Sequence, residues 1–282
     1  LGKVDGGYVL ASETCALDIV GAEFVRDIKP GECCVIQAPK GPVSFEKNLK
    51  VDPALCIFEL IYFARPDSEL SGLLVDEARV QMGRELAKEH PLDVDIVIPV
   101  PDSGVPAAMG YAEELGVKYT SGIIKNRYVT RTFILPDQHL RDLGIRLKLN
   151  PQRRRLAGKR IAIVDDSIVR GTTSSKIVKM LRDAGAKEVH MLVSCPPIRY
   201  PCYYGIDTTG RGDLIAADKD QAEICRYIGA DSLNFLSMEG LLKATRNGDS
   251  RGYCTACFDC NYPIPLQDDL KVGKLDLEEV LK

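Results

Sequence analysis

Four short runs of β-branched and apolar residues set the main limit on what this chain can fold into. They are Ile96 to Val100, Arg160 to Val164, Val189 to Ser194 and Leu233 to Leu236. Ile161, Ile163 and Val164 are β-branched and continuous rather than alternating, as expected for a strand buried on both faces. Between the runs lie stretches with helical periodicity. Asp76 to Lys88 sets Ala78, Met82, Leu86 and Ala87 on one stripe, Val105 to Leu115 ends at Gly116, and further helices are expected near 174–184 and 219–228. Strands alternating with helices predict a parallel sheet covered by helices on both faces. In such folds ligands bind beyond the carboxyl ends of the strands, where Asp102-Ser103 and Asp165-Asp166 fall.

The second of these strand ends carries the most chemistry. It reads IAIVDDSIVRGTTSSK over residues 161–176. Ile177, Val178, Leu181 and Ala184 then recur at helical spacing and Gly185 suits the helix end, so the Gly-Thr-Thr-Ser run opens a helix. A helix N-terminus presents unpaired N–H groups and a partial positive charge to a phosphate. Gly171 lets the backbone come close, and the hydroxyls of Thr172, Thr173 and Ser174 add donors. Asp165 and Asp166 cannot bind phosphate, but they can hold a divalent metal or accept hydrogen bonds from sugar hydroxyls. A phosphorylated ribose with a metal meets all of these demands, whereas the bland reading is a strand–loop–helix joint with capping residues. No G-x-x-x-x-G-K-[ST] loop occurs, and Gly210-Arg211-Gly212 lacks the third glycine and the leading strand of a dinucleotide fingerprint.

These residues carry a resemblance. Asp165 to Ser174 resembles the phosphoribosyl pyrophosphate loop of the type I phosphoribosyltransferases. The wording DDSIVRGTTS is similar to their glutamine-dependent amidotransferase branch. FELIYFARPDS (58–68), PVPDSGVPAAMG (99–110) and KNRYVTRTFILP (125–136) agree, and the likeness runs from the first residue to about Pro263. It implies the type I phosphoribosyltransferase fold over residues 49–263, preceded over residues 1–48 by the β-rich remnant of an N-terminal-nucleophile glutaminase domain and followed by a tail, 264–282. Short strand-like runs at Tyr8 to Ser12, Ala22 to Val25 and Cys33 to Gln37 suit that leader. The chain starts at Leu1, as a fragment or processed product would.

The activity implied is attack of glutamine-derived ammonia on phosphoribosyl pyrophosphate, giving phosphoribosylamine and pyrophosphate in the first committed step of purine nucleotide synthesis. By the same resemblance Asp165 and Asp166 face the ribose hydroxyls and, with Ser103, Mg²⁺. Ser167, Arg170, Gly171, Thr172, Thr173 and Ser174 hold the 5′-phosphate end, and Ser103 grips pyrophosphate. Lys125, Arg127 and Arg131 belong to a lid that closes with Tyr128 packing inward, although Thr130 replaces the usual small residue after Tyr128-Val129. Read without the resemblance, KNRYVTR is a solvated charge run and Pro-Asp-Ser-Gly a plain turn. A homotetramer inhibited by AMP and GMP is also implied. Two other readings share the ribose loop: a purine-base phosphoribosyltransferase, and a transcription regulator that senses phosphoribosyl pyrophosphate. The second would need a DNA-binding module and a basic face, which a net charge of −3 and the absence of a visible helix-turn-helix disfavour.

The chain has ten cysteines, unevenly spread. Cys254, Cys257 and Cys260 recur every three residues in CTACFDC, a spacing that points to metal ligation. The resemblance completes a [4Fe–4S] set of Cys56, Cys202, Cys254 and Cys257, with Cys260 an extra thiol where the family usually has glycine. A zinc site or free packing cysteines are the alternatives. Cys33, Cys34 and Cys225 read as packing residues. With 45% hydrophobic and 27% charged residues, no apolar run near the length of a membrane span and no secretory signal, the expectation is a cytoplasmic protein that binds neither membrane nor nucleic acid.

Overall fold

The computed structural model describes residues 1–37, 40–46, 53–128, 147–206, 208, 211–245 and 252–265. The chain forms two compact units, one of residues 1–78 with 245–254 and one of residues 79–244 with 255–282.

In the first unit, Gly2–Val4 is the middle of a small antiparallel sheet between Gly7–Val9 and Glu23–Phe24. A second ribbon pairs Glu32–Gln37 with Gly41–Glu46. The segment after Gln37 thus returns as a strand beyond the last strand-like run that the sequence marks in this region. The register sets Glu32 opposite Glu46 and Cys34 opposite Ser44, a pairing that strand-length periodicity does not announce. Cys33 is exposed rather than packed, because this ribbon has only two strands and so leaves faces open. Glu13 ties the leader to the segment that follows: its carboxylate accepts the Arg65 N–H and the Ser68 hydroxyl, both at 2.8 Å.

The second unit is built on four parallel strands, β1 (Ile96–Pro99), β2 (Arg160–Asp165), β3 (Glu188–Val193) and β4 (Ser232–Phe235). They lie side by side in chain order, with Ile161 opposite both Ile96 and Val189, and His190 opposite Ser232. Ile98, Ile161, Ile163, Val189, Met191 and Val193 are all fully buried, so the continuous apolar runs do become interior strands. The free side of β1 takes the segment around Tyr119, which bridges Val97 in parallel; the Val97 N–H reaches the Lys118 carbonyl at 2.9 Å.

This last contact decides the topology. The chain leaves β1 through helix α2 (Val105–Leu115) to Tyr119 on one side, then crosses to β2 on the other side of β1. From there it proceeds through α3 (Thr172–Asp183) and α4 (Gln221–Ile228) to β3 and β4. Right-handed crossovers running in opposite directions put α2 on one face and α3 and α4 on the other. The reversal lies between β1 and β2, and a crevice opens at such a switch point beyond the strand ends.

Helix α1 (Val75–Glu89) packs on α2 at two glycines. A Cβ at Gly83 would collide with the Ala107 carbonyl, and one at Gly110 with that of Val80. The backbones therefore approach more closely than any larger residue allows. Ala78, Met82, Leu86 and Ala87 are buried, as the helical stripe requires. A capping box at Asp220 and Glu223 starts α4, and Gly229 in the left-handed region ends it.

Candidate active site

Two loops meet at the switch point. One leaves β1 as Pro101-Asp102-Ser103-Gly104, with a cis peptide between Pro101 and Asp102, and leads into α2. Gly104 sits so tightly beneath the sheet that a Cβ there would collide with the carbonyl of Val164. The other leaves β2 at Asp165 and reaches α3 at Thr172. Gly171 begins this helix with φ +72°, a left-handed conformation that a side chain resists, and a Cβ there would also strike Ile215 and Tyr227. As a glycine it offers no capping oxygen, so the first-turn N–H groups are left to a ligand. Thr172 and Thr173 are exposed at that turn, while Ser174 is buried.

Asp165 and Asp166 are 8% and 5% exposed. The Asp166 N–H donates to Asp165 Oδ1 at 2.9 Å, and the Ser167 hydroxyl to Asp166 Oδ1 at 2.5 Å. Burial pushes both carboxyls up, Asp165 well above the usual range because the Asp166 charge adds to its desolvation. Asp166 is also raised by burial, but hydrogen bonds from the Ser103 and Ser167 hydroxyls and the charge of Arg79 pull it back. Two buried acids side by side with so little countercharge make a place for a cation or for hydroxyl donors. That chemistry fits the Mg²⁺ expected of Ser103, Asp165 and Asp166, although no group of three or more His, Cys, Asp or Glu among the described residues is arranged to hold a metal.

Arg79 is the functional candidate that sequence reading passes over. It is 3% exposed on α1 and acts electrostatically on Asp166. The signal was available: a charged residue lies beside the buried stripe of Ala78 and Met82. Helical periodicity counts such a residue as a break in the pattern rather than as a group facing a site.

The remaining expected ligands are less gathered. Lys125 ends the strand Ile123–Lys125, which pairs with Leu149–Pro151, and its Nζ lies 2.5 Å from Asp102 Oδ2. Arg170 is exposed and paired with Asp213 at 3.3 Å. Tyr128, expected to pack inward, is 97% exposed in a turn past the last ribbon bond, from the Asn126 N–H to the Lys148 carbonyl. Arg127 is exposed beside it, and Arg131 lies outside the described residues.

The cysteines of CTACFDC and their expected partners fall in both units, with one register pair in the first and three cysteines near one tyrosine in the second. In the first unit, Cys56 and Cys254 are register partners of a parallel two-stranded pairing, and the Cys56 thiol is raised mainly by burial and in part by Cys254. In the second, the Cys257 carbonyl accepts the N–H groups of Arg199 and Tyr200, at 2.9 and 3.1 Å. Cys202 accepts the Tyr204 N–H at 3.4 Å. Cys202, Cys257 and Cys260 all act on the Tyr262 phenol, which burial pushes up first. Cys260 adopts φ +65°, the left-handed conformation a glycine would take there without strain. Cys225 is half-buried, with its thiol donating to the Ala230 carbonyl at 3.3 Å.

A five-position parallel sheet with the acid pair and the glycine-started helix at its switch point defines a type I phosphoribosyltransferase domain. Residues 72–205 match the phosphoribosyl transferase domain family. Beyond that domain, the chain belongs to the amidophosphoribosyltransferase family. It is 56% identical to the amidophosphoribosyltransferase of Synechococcus elongatus over 97% of this chain and 55% of that protein. It is 54% identical to that of Archaeoglobus fulgidus over 94% of this chain and 58% of that protein. The solved glutamine phosphoribosylpyrophosphate amidotransferase of B. subtilis, complexed with ADP and GMP, superposes with a TM-score of 0.88 at 49% identity, covering 98% of this chain and 60% of that one. The chain thus spans about half the length of the curated relatives it matches.

Proposed function

We propose that this chain carries the site at which ammonia displaces pyrophosphate from phosphoribosyl pyrophosphate, yielding 5-phosphoribosylamine in the first committed step of purine nucleotide synthesis. The observation that carries the reading is the buried Asp165–Asp166 pair one loop away from an uncapped helix start. Breaking the bond between ribose C1 and the pyrophosphate oxygen builds positive charge on the sugar ring and negative charge on the leaving group. The site has to stabilise both and keep water out. Asp165 and Asp166 accept the ribose hydroxyls and set negative charge near the ring. The N–H groups and hydroxyls at Thr172 and Thr173 hold the 5′-phosphate. Ser103 and Lys125 face the pyrophosphate, with Arg127, Arg131 and Tyr128 as the groups that would cover it. Mg²⁺ held by Ser103, Asp165 and Asp166 would neutralise charge on the departing pyrophosphate. Attack by ammonia then forms the C1–N bond, and the extra proton passes to solvent.

Cys56, Cys202, Cys254 and Cys257 would hold a [4Fe–4S] cluster; four thiolates are its complete donor set. Their distance in sequence from the ribose loop favours a structural or oxygen-sensing role. The complete protein would draw its ammonia from glutamine, work as a cytoplasmic homotetramer, and respond to purine nucleotides such as AMP and GMP. No helix among the described residues is long and apolar enough to cross a membrane. The test is pyrophosphate release with ammonia as the only acceptor, against hypoxanthine, guanine or adenine. Turnover with a base and none with ammonia would overturn the reading in favour of a purine-base phosphoribosyltransferase.

A further inference from the structure

Asp102 has no part in the reaction so far, yet it makes the shortest ion pair in the site. Its Oδ2 lies 2.5 Å from Lys125 Nζ, 23 residues away in sequence. The two loops of the crevice divide their work here. Ser103 turns inward to the Asp166 carboxylate, while its neighbour Asp102 turns outward to the ribbon that carries Lys125. The ribbon backbone is fixed on both sides of Lys125, by the Lys125–Leu149 pairing and by the Asn126 N–H on the Lys148 carbonyl at 2.7 Å. Only the flexible side chain is left to be placed. Both partners are open to water, with side chains 52% and 73% exposed. An exposed pair is worth no more than about fivefold in an equilibrium, so it can be exchanged.

We propose that Asp102 is a positioning residue for Lys125, a resident anion that holds the ammonium at the pyrophosphate position and competes with pyrophosphate for it. The inference rests on the phosphoribosyltransferase reading and adds to it the control of pyrophosphate release. Lys125 passes from Asp102 to the incoming pyrophosphate and returns when it leaves. No covalent step is involved. A carboxylate beside a polyanion also repels it, so removing the charge strengthens pyrophosphate binding on both counts.

The experiment is calorimetric titration of the complete protein with inorganic pyrophosphate and Mg²⁺. Four forms are compared: wild type, Asp102→Asn, Lys125→Ala and the double variant. Asp102→Asn binds pyrophosphate about three- to tenfold more tightly. In the Lys125→Ala background the same change gives under twofold, because the group that was held is gone. Thermal melting of each variant confirms that it is folded. An unchanged or weaker affinity in Asp102→Asn overturns the proposal. An equal gain in the Lys125→Ala background also overturns it, leaving simple repulsion. If wild type binds no pyrophosphate at all, the phosphoribosyltransferase reading fails, and this inference with it.

Discussion

Glu32 in the first unit and the Asp165–Asp166 pair in the second are all hydrogen-bonded carboxylates, and they are treated in opposite ways. The Glu32 carboxylate accepts two hydrogen bonds from the Arg26 guanidinium, at 2.6 and 2.9 Å, one from the Ser44 hydroxyl at 2.5 Å and one from the Lys29 N–H at 2.8 Å. Those bonds, Arg26 first, hold its pKa down to about 2. Asp165 and Asp166 are pushed up by burial instead, with each other for a neighbour. The first arrangement is complete in itself. The second is unfinished and becomes complete when something enters. A carboxylate whose charge is matched by a guanidinium stabilises a fold, whereas buried acids whose bonds do not offset their desolvation mark a place for a ligand.

The sharpest way to break this comparison is to remove the unfinished charges. Asp165→Asn with Asp166→Asn should lower phosphoribosylamine formation by about a thousandfold or more, in line with loss of preorganised electrostatic groups. Stability should respond in the opposite sense. Burial raises both carboxyls above the ordinary aspartate range, so the folded state binds protons more tightly than the unfolded state. The pair therefore costs stability as pH rises above about 4. The double variant should melt at pH 7 no lower than wild type, by differential scanning calorimetry in the absence of ligand. Near-normal turnover would show that the loop has been misread.

A second large effect concerns the thiols. Purified without oxygen, the protein should be brown, with broad absorption near about 400 nm from thiolate-to-iron charge transfer. Cys56→Ser or Cys202→Ser should remove the colour and Cys225→Ser should keep it. Colourless protein with one equivalent of zinc would overturn the cluster. Loss of colour in Cys260→Ser but not in Cys257→Ser would move the ligand within CTACFDC.

Third, residues 1–282 should use free ammonia and not glutamine. The amide nitrogen of glutamine is not nucleophilic until a thiol acyl-enzyme releases it. Cys15 is buried, and Cys33 and Cys34 lie on the Glu32–Gln37 strand. The ammonia rate should climb with pH as ammonium loses its proton. Glutamate released in step with turnover would reveal a glutaminase site within these residues.

The smallest effect falls on the finished acid. Glu32→Gln should lower the melting temperature slightly at pH 7. Because the folded pKa of Glu32 is depressed from 4.5 to about 2, its contribution is present above pH 4.5 and fades as pH falls toward 2. Melting curves of wild type and variant should converge at that acid end. A difference that persists there would assign the effect to packing rather than charge.

The sequence alone placed the four strands of the parallel sheet and helices α1 to α4 to within two residues, because buried strands leave apolar runs and one-sided burial leaves a helical stripe. It did not mark the ribbon of Ile123–Lys125 with Leu149–Pro151 or the helix Met238–Thr245. It did mark the loop from Asp165 to Ser174 as the join between a strand end and a helix start, since these residues are contiguous and the pattern is local. The ribbon of Gly41–Glu46 escaped it, because that strand exists only through a partner. Arg79, and the pairing of Asp102 with Lys125, escaped it for the same reason. Each acts across a gap in sequence, Arg79 on Asp166 and Asp102 on Lys125, and only the folded chain brings those groups together. Likewise the alternation of strands and helices announced a parallel sheet, but the side of β1 taken by Tyr119 fixed where the sheet reverses and hence where its crevice opens. Local periodicity records how much of a residue is buried; which residue it meets depends on contacts that only the tertiary fold makes.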